Sequence, residues 1–211
     1  MAPYDGTLRP TLYGLTAFGK APQSHLHTAK FIVQCAAYQG ADRASDVILA
    51  GDSSGRLEKQ VRKSVGWARS LGWFEDYRGI ARHDRPRLPL GALREALVNA
   101  VIDSDYALTG SAVMLEVFSD RIDVTSPGTL PNHLTVASVA AGGGPRSGIE
   151  LVASAMVVAG LMQQRGRGWL LMRRAMREFN GTEPELVNDE GGRFVRVTLR
   201  TRPPSSRSEA H

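Results

Sequence analysis

With 211 residues, 42% of them apolar and 22% charged, the chain is long enough for one large domain or two small ones with a real core. No apolar run reaches membrane-spanning length, the N-terminus MAPYDGTLRP lacks the basic start and apolar stretch of a secretory leader, and the single Cys35 excludes an intrachain disulfide framework or a cysteine zinc site. The expectation is an uncleaved cytoplasmic protein without a membrane partner. Its net charge of +5 is carried mostly by arginine, whose planar forks suit phosphate oxygens, although a solvated basic surface gives the same balance.

In chain order, residues 1–28 are rich in Pro, Gly and Thr and read as an irregular lead-in. Residues 29–88 read as a small α/β segment. Ala29 to Tyr38 and Ser45 to Ala50 are strand-like apolar runs, and Arg56 to Leu71 carries Leu57, Val61, Val65 and Ala68 at helical spacing. A polar stretch from Arg78 to Arg87 then runs into Pro86 and Pro89, which marks the internal boundary.

Beyond it, Leu93 to Ser104 (LREALVNAVIDS) predicts a helix that is apolar nearly all round, apart from Arg94 and the line Glu95, Asn99, Asp103. Spaced by four, those three side chains share one face, and a single polar row on an otherwise buried helix points to a lined cavity. Taken alone, Glu-x-x-x-Asn also occurs by chance on solvent-facing helices. Val113, Leu115 and Val117 alternate, and the chain returns after Ser119-Asp120, which predicts an antiparallel hairpin. Ser126-Pro127-Gly128 follows, then a small-residue segment, Thr135 to Gly148, that reads as a mobile lid. Leu151 to Met162 and Trp169 to Phe179 read as helices separated by RGRG (Arg165 to Gly168), and Glu185 to Val187 with Phe194 to Leu199 as a closing hairpin. Residues 201–211 read as a disordered tail. In the last strand Arg196, Thr198 and Arg200 alternate, so both arginines are expected to face outward and to be open to nucleic acid.

The order of polar-lined helix, hairpin, Ser-Pro-Gly, glycine-rich lid, RGRG and helix resembles the GHKL-type ATP-binding sandwich of gyrase, Hsp90, histidine kinases and MutL. More closely, LREALVNAVIDSDY, VFSDRIDVTSPGTLP and RGRGWLLMRRAM resemble the ATPase-like C-terminal domain of RecG-related transcriptional regulators, over roughly Pro10 to Arg200. Those proteins commonly carry an AlbA-type DNA-binding domain upstream and a winged helix downstream; neither is read in this sequence. The resemblance implies a two-layer α/β sandwich over 89–200, preceded by a smaller α/β segment. It further implies ATP and Mg²⁺ as ligands, with Asn99 holding the metal and Glu95 polarising water as the catalytic residue.

By the same resemblance, Ser126 and Gly128 stand in the first glycine box, where the wider family uses an Asp to accept the adenine amino group. Gly166 and Gly168 stand in the second box, with Arg165 and Arg167 beside them facing phosphate. Asp103, Ser104, Asp105 and Tyr106 replace the usual His-Arg-Asp-Tyr, which places Asp103 in the cofactor pocket and adds negative charge there. Ser147, Gly148 and Ile149 replace Ser-Arg-Asn. These departures favour nucleotide binding over efficient hydrolysis. The resulting expectation is a transcription-regulator-type protein with an adenine-nucleotide module. The alternatives are an interaction module that has lost nucleotide chemistry and works through DNA or a DNA-binding partner, or a weak ATPase. A helicase motor is excluded by the lack of a G-x-x-x-x-G-K-[ST] loop.

Overall fold

The structure is a computed structural model that describes residues 2–4, 7–78, 81–86, 88–108, 110–130, 134–142, 156–157, 160 and 167–201. The chain opens with β1 (Ala2–Tyr4) and β2 (Thr7–Arg9), paired antiparallel, and α1 (Leu12–Phe18). The Thr11 side chain caps α1 by accepting from the Gly14 amide at 3.0 Å. The lead-in is therefore structured where its composition suggested irregularity, because one cap and one short hairpin satisfy its backbone locally.

β3 (Val33–Tyr38) and β4 (Val47–Ser53) follow, then α2 (Leu57–Arg69), β5 (Trp73–Arg78), β6 (Ala81–Pro86) and α3 (Leu90–Asp103). The polar stretch before Pro89, read as an internal boundary, holds β6, the second strand of a hairpin with β5. Next come β7 (Val113–Val117), β8 (Arg121–Pro127), α4 (Val136–Ala140), α5 (Gly168–Asn180), β9 (Glu185–Asp189) and β10 (Phe194–Arg200). The start of the expected lid is helical, because Thr135 and Ser138 form a reciprocal capping box at the head of α4. Residues 143–155 and 161–166, which hold the rest of the lid, much of the expected helix before RGRG, and Arg165 and Gly166, lie outside the described residues, as does the tail after Thr201.

A six-stranded sheet runs β4-β3-β7-β8-β10-β9. Every pair in it is antiparallel except β3 with β7. Its inner face presents Val33, Cys35, Ala37, Val113, Leu115, Val117, Ile122, Val124, Val197 and Leu199 to the helices, as period-two alternation requires. α2 packs on β3 and β4, while α3 lies between α2 and α5 and packs on β8 and β10. This is the two-layer α/β sandwich expected from the sequence. The sheet crosses residue 88, where the sequence suggested a boundary. β3 is hydrogen-bonded to β7, and Val33, Leu57 and Val61 share one core with Leu97 and Leu115, so the smaller segment and the sandwich are physically continuous.

The outer face is polar. Glu116 and Asp123 are cross-strand neighbours, as are Asp123 and Thr198. Arg43 grips Glu116 with two bonds of 2.6 and 2.7 Å, and Arg121 Nε donates to Asp123 at 3.0 Å. The arginines expected to project freely from β10 are engaged within the chain. Arg196 donates to Thr125 and covers the Phe194 ring, Arg200 donates to Glu185, and Thr198 is buried. On this crowded strand, cross-strand partners take up the forks.

Candidate functional site

α3 is the centre of the site. Leu93, Leu97, Val98, Val101 and Ile102 are buried, and each contributes about 1.5–3 kcal/mol of apolar burial, so packing on both flanks fixes the rotation of the helix. That rotation leaves Gly91, Arg94, Asn99 and Asp103 at least partly exposed and buries Glu95, which is 4% exposed. From Glu95 to Asp103 the polar row spans about 12 Å of helix.

At one end of the row stands the start of α5. A Cβ added at Gly168 would lie 3.4 Å from both amide atoms of Asn99 and 3.5 Å from Glu95 Oε2. A glycine here lets the backbone of a helix terminus come close to an acid and an amide from another helix. Arg167 precedes that terminus and its side chain makes no cap hydrogen bond, so among the described residues the first amides of α5 have no side-chain capping acceptor. The next residue, Trp169, is buried with its indole N–H unpartnered.

Glu95 Oε1 accepts from Arg94 Nη2 at 3.0 Å. Burial pushes the Glu95 carboxyl up, and the hydrogen bond and charge of Arg94 pull it back down. Among the described residues the Asn99 amide makes no hydrogen bond. Asp103 is likewise unpartnered among them, and burial alone lifts its carboxyl to about 6.

The other end of the row meets the end of β8. The Asp105 amide donates to Pro127 O at 2.9 Å, and the Gly128 amide donates to Arg193 O at 2.8 Å. Gly128 has a φ of +105°, and a Cβ there would come within 2.7 Å of Asp105 Cβ, so this position needs glycine on both counts. Ser126 is buried, and its hydroxyl donates to the Val195 carbonyl at 3.5 Å.

Of the residues singled out from sequence, the structure therefore brings Glu95, Asn99 and Gly168 together. Asp103 stands one turn beyond Asn99, Ser126 and Gly128 lie at the far end of α3, and Arg167 is exposed at the head of α5. Arg165 and Gly166 lie outside the described residues. Sequence reasoning missed the bond from Arg94 to Glu95. Its signal was available, since Arg94 is the only basic residue of the helix and directly precedes Glu95.

The donors and acceptors at the α3–α5 junction suit a Mg²⁺–polyphosphate group. Asn99 offers an unengaged amide oxygen, Glu95 a carboxylate, and α5 an uncapped terminus with its positive dipole end. Among the described residues no group of three or more His, Cys, Asp or Glu side chains could hold a metal without such a ligand. No helix among them is long and apolar enough to cross a membrane.

Residues 110–199 match the model of the family described as "Putative ATP-dependent DNA helicase recG C-terminal". That match contains β7 to β9 and β10 as far as Leu199, with Ser126, Gly128 and Arg165 to Gly168, whereas Glu95, Asn99 and Asp103 precede it. No curated protein sequence matches the chain. Among solved structures, the chain is similar to the DIP2311 protein from Corynebacterium diphtheriae, with a TM-score of 0.68 and 20% identity, covering 90% of this chain and 37% of that one. The chain thus spans little more than a third of that relative, and the likeness is one of fold. The cytoplasmic segment of histidine kinase QseC gives a TM-score of 0.32 at 16% identity, over 68% of this chain and 71% of that one, which supports no statement about the fold. The likeness to the RecG-related C-terminal domain, read first from sequence motifs, stands on residues 110–199 of this chain.

Proposed function

We propose that the α3–α5 junction binds the phosphates of an adenine nucleotide with Mg²⁺, and that this chain is the nucleotide-responsive part of a transcription-regulator-type protein. The observation that carries the reading is the approach of Gly168, at the uncapped head of α5, to Glu95 and Asn99. Asn99 holds the metal through its amide oxygen, and the α5 amides face phosphate oxygens. Glu95 orients water in whatever slow hydrolysis occurs. A Mg²⁺ held by Asn99 would supply positive charge to offset that of the phosphates. Asp103 continues the cofactor face beyond Asn99, and Ser126 and Gly128 close its far end. By the family resemblance, Arg165, Gly166 and Arg167 belong to the phosphate-binding set. A DNA or DNA-binding partner belongs to the same reading.

Thermal unfolding with ATP, ADP and Mg²⁺ tests it. A ligand at a hundred times its Kd stabilises by about 2.7 kcal/mol, which for a chain of this size raises Tm by roughly 5–10 °C. The rise is expected to require Mg²⁺ and to disappear in Asn99→Ala. No shift at millimolar nucleotide overturns the proposal.

A further inference from the structure

Glu95 creates an electrostatic difficulty at this site. It is 4% exposed and stands 3.5 Å from the position a Cβ would take at Gly168, where the proposed phosphate meets α5. A buried carboxylate beside an incoming phosphate repels it, and little solvent is present to screen the two charges. The remedy is on the same helix. Arg94 Nη2 donates to Glu95 Oε1 at 3.0 Å, while Oε2 is the oxygen nearest α5. The Arg94 side chain is 39% exposed, so its charge is partly open to solvent. Among the described residues Arg94 is the only charged group that acts on Glu95; α5 contributes Gly168, and the next turn of α3 contributes the neutral Asn99.

We propose that Arg94 is the counter-charge and positioning residue of the site, holding one oxygen of Glu95 and offsetting its charge so that a polyphosphate can settle against the head of α5. The inference rests on the nucleotide reading above. Arg94 acts through Glu95. An arginine needed only for packing or fold would matter equally whether residue 95 were charged or neutral. Arg94 Nε is buried without a partner among the described residues, so the bond to Glu95 is the one the fork makes there.

The test is a double-mutant cycle on the full chain, reading the affinity for a non-hydrolysable ATP analogue with Mg²⁺ by calorimetry. Arg94→Met is expected to weaken binding at least about tenfold, and Arg94→Lys to recover most of that loss by restoring the charge. In the Glu95→Gln background, Arg94→Met is expected to change affinity less than about twofold, since no carboxylate remains to offset. Arg94→Gln serves in place of the Met variant should the latter lack a cooperative thermal transition. Equal losses in both backgrounds, or no loss in either, overturn the proposal. Absence of binding by the unmodified chain overturns the nucleotide reading instead, so the two failures are distinguishable.

Discussion

Asp103 is the least compensated residue of the site. Its carboxyl sits at about 6 in the folded chain against 3.8 in the open one, because burial disfavours the charge and no cation among the described residues answers it. Between those values the folded state binds more protons than the unfolded state. The stability tied to this group is therefore complete below about pH 3.8 and is lost as pH rises through about 6. Asp103→Asn removes that loss. The unliganded variant is expected to gain on the order of 2–3 kcal/mol at pH 7.5 and almost nothing at pH 4, as read from urea unfolding at the two pH values. An equal effect at both values refutes the assignment. The sequence made Asp103 visible as a carboxylate on a cofactor face. That it would lack a partner depended on which side chains α1 and α3 bring together, and no local pattern encodes that.

At the scale of elements, α3 was legible because nearly every position around it is apolar, and β7 with β8 because Val113, Leu115 and Val117 alternate before a short turn. β5 and β6 were not, since WFEDYRGIARHDRP shows no alternation of apolar and polar residues. The head of α5 was legible only through the RGRG resemblance. Its approach to Glu95 and Asn99 is a product of helix packing, with Trp169, Met172 and Met176 seating α5 in the core. The geometry there separates folding from function. Gly168→Ala adds a methyl at ordinary contact distance, 3.4–3.5 Å from Asn99 and Glu95, in a helical conformation that alanine favours. Its Tm without ligand is expected to be unchanged or slightly higher, while on the proposed reading the Mg²⁺–nucleotide shift falls by half or more because the methyl stands where the phosphate would meet α5. A Gly168→Ala chain that responds to nucleotide as the unmodified one does would place the phosphates elsewhere.

For the whole molecule, the feature sequence reading could not supply is the parallel pairing of β3 with β7. Partners such as Val33 and Val113 are too far apart in the chain to leave a local trace. That pairing, with α2 packed on β3, makes β3 and α2 part of the sandwich core. A fragment of residues 89–201 alone would lose Val33, Cys35, Leu57 and Val61 from the cluster around α3 and bare one edge of β7. It is expected to show no cooperative urea transition, while the full chain unfolds in one step by circular dichroism and tryptophan fluorescence alike. A fragment with its own sharp transition would show that the boundary near residue 88 is real. The same pairing has a kinetic consequence during synthesis. At about 5–20 residues per second, a ribosome takes roughly 4–16 s to deliver β7 after β3 has emerged. Throughout that interval the nascent β3–β4 ribbon has one ladder of amides and carbonyls unclaimed, a stage at which chaperones and neighbouring nascent chains compete with the strand it awaits.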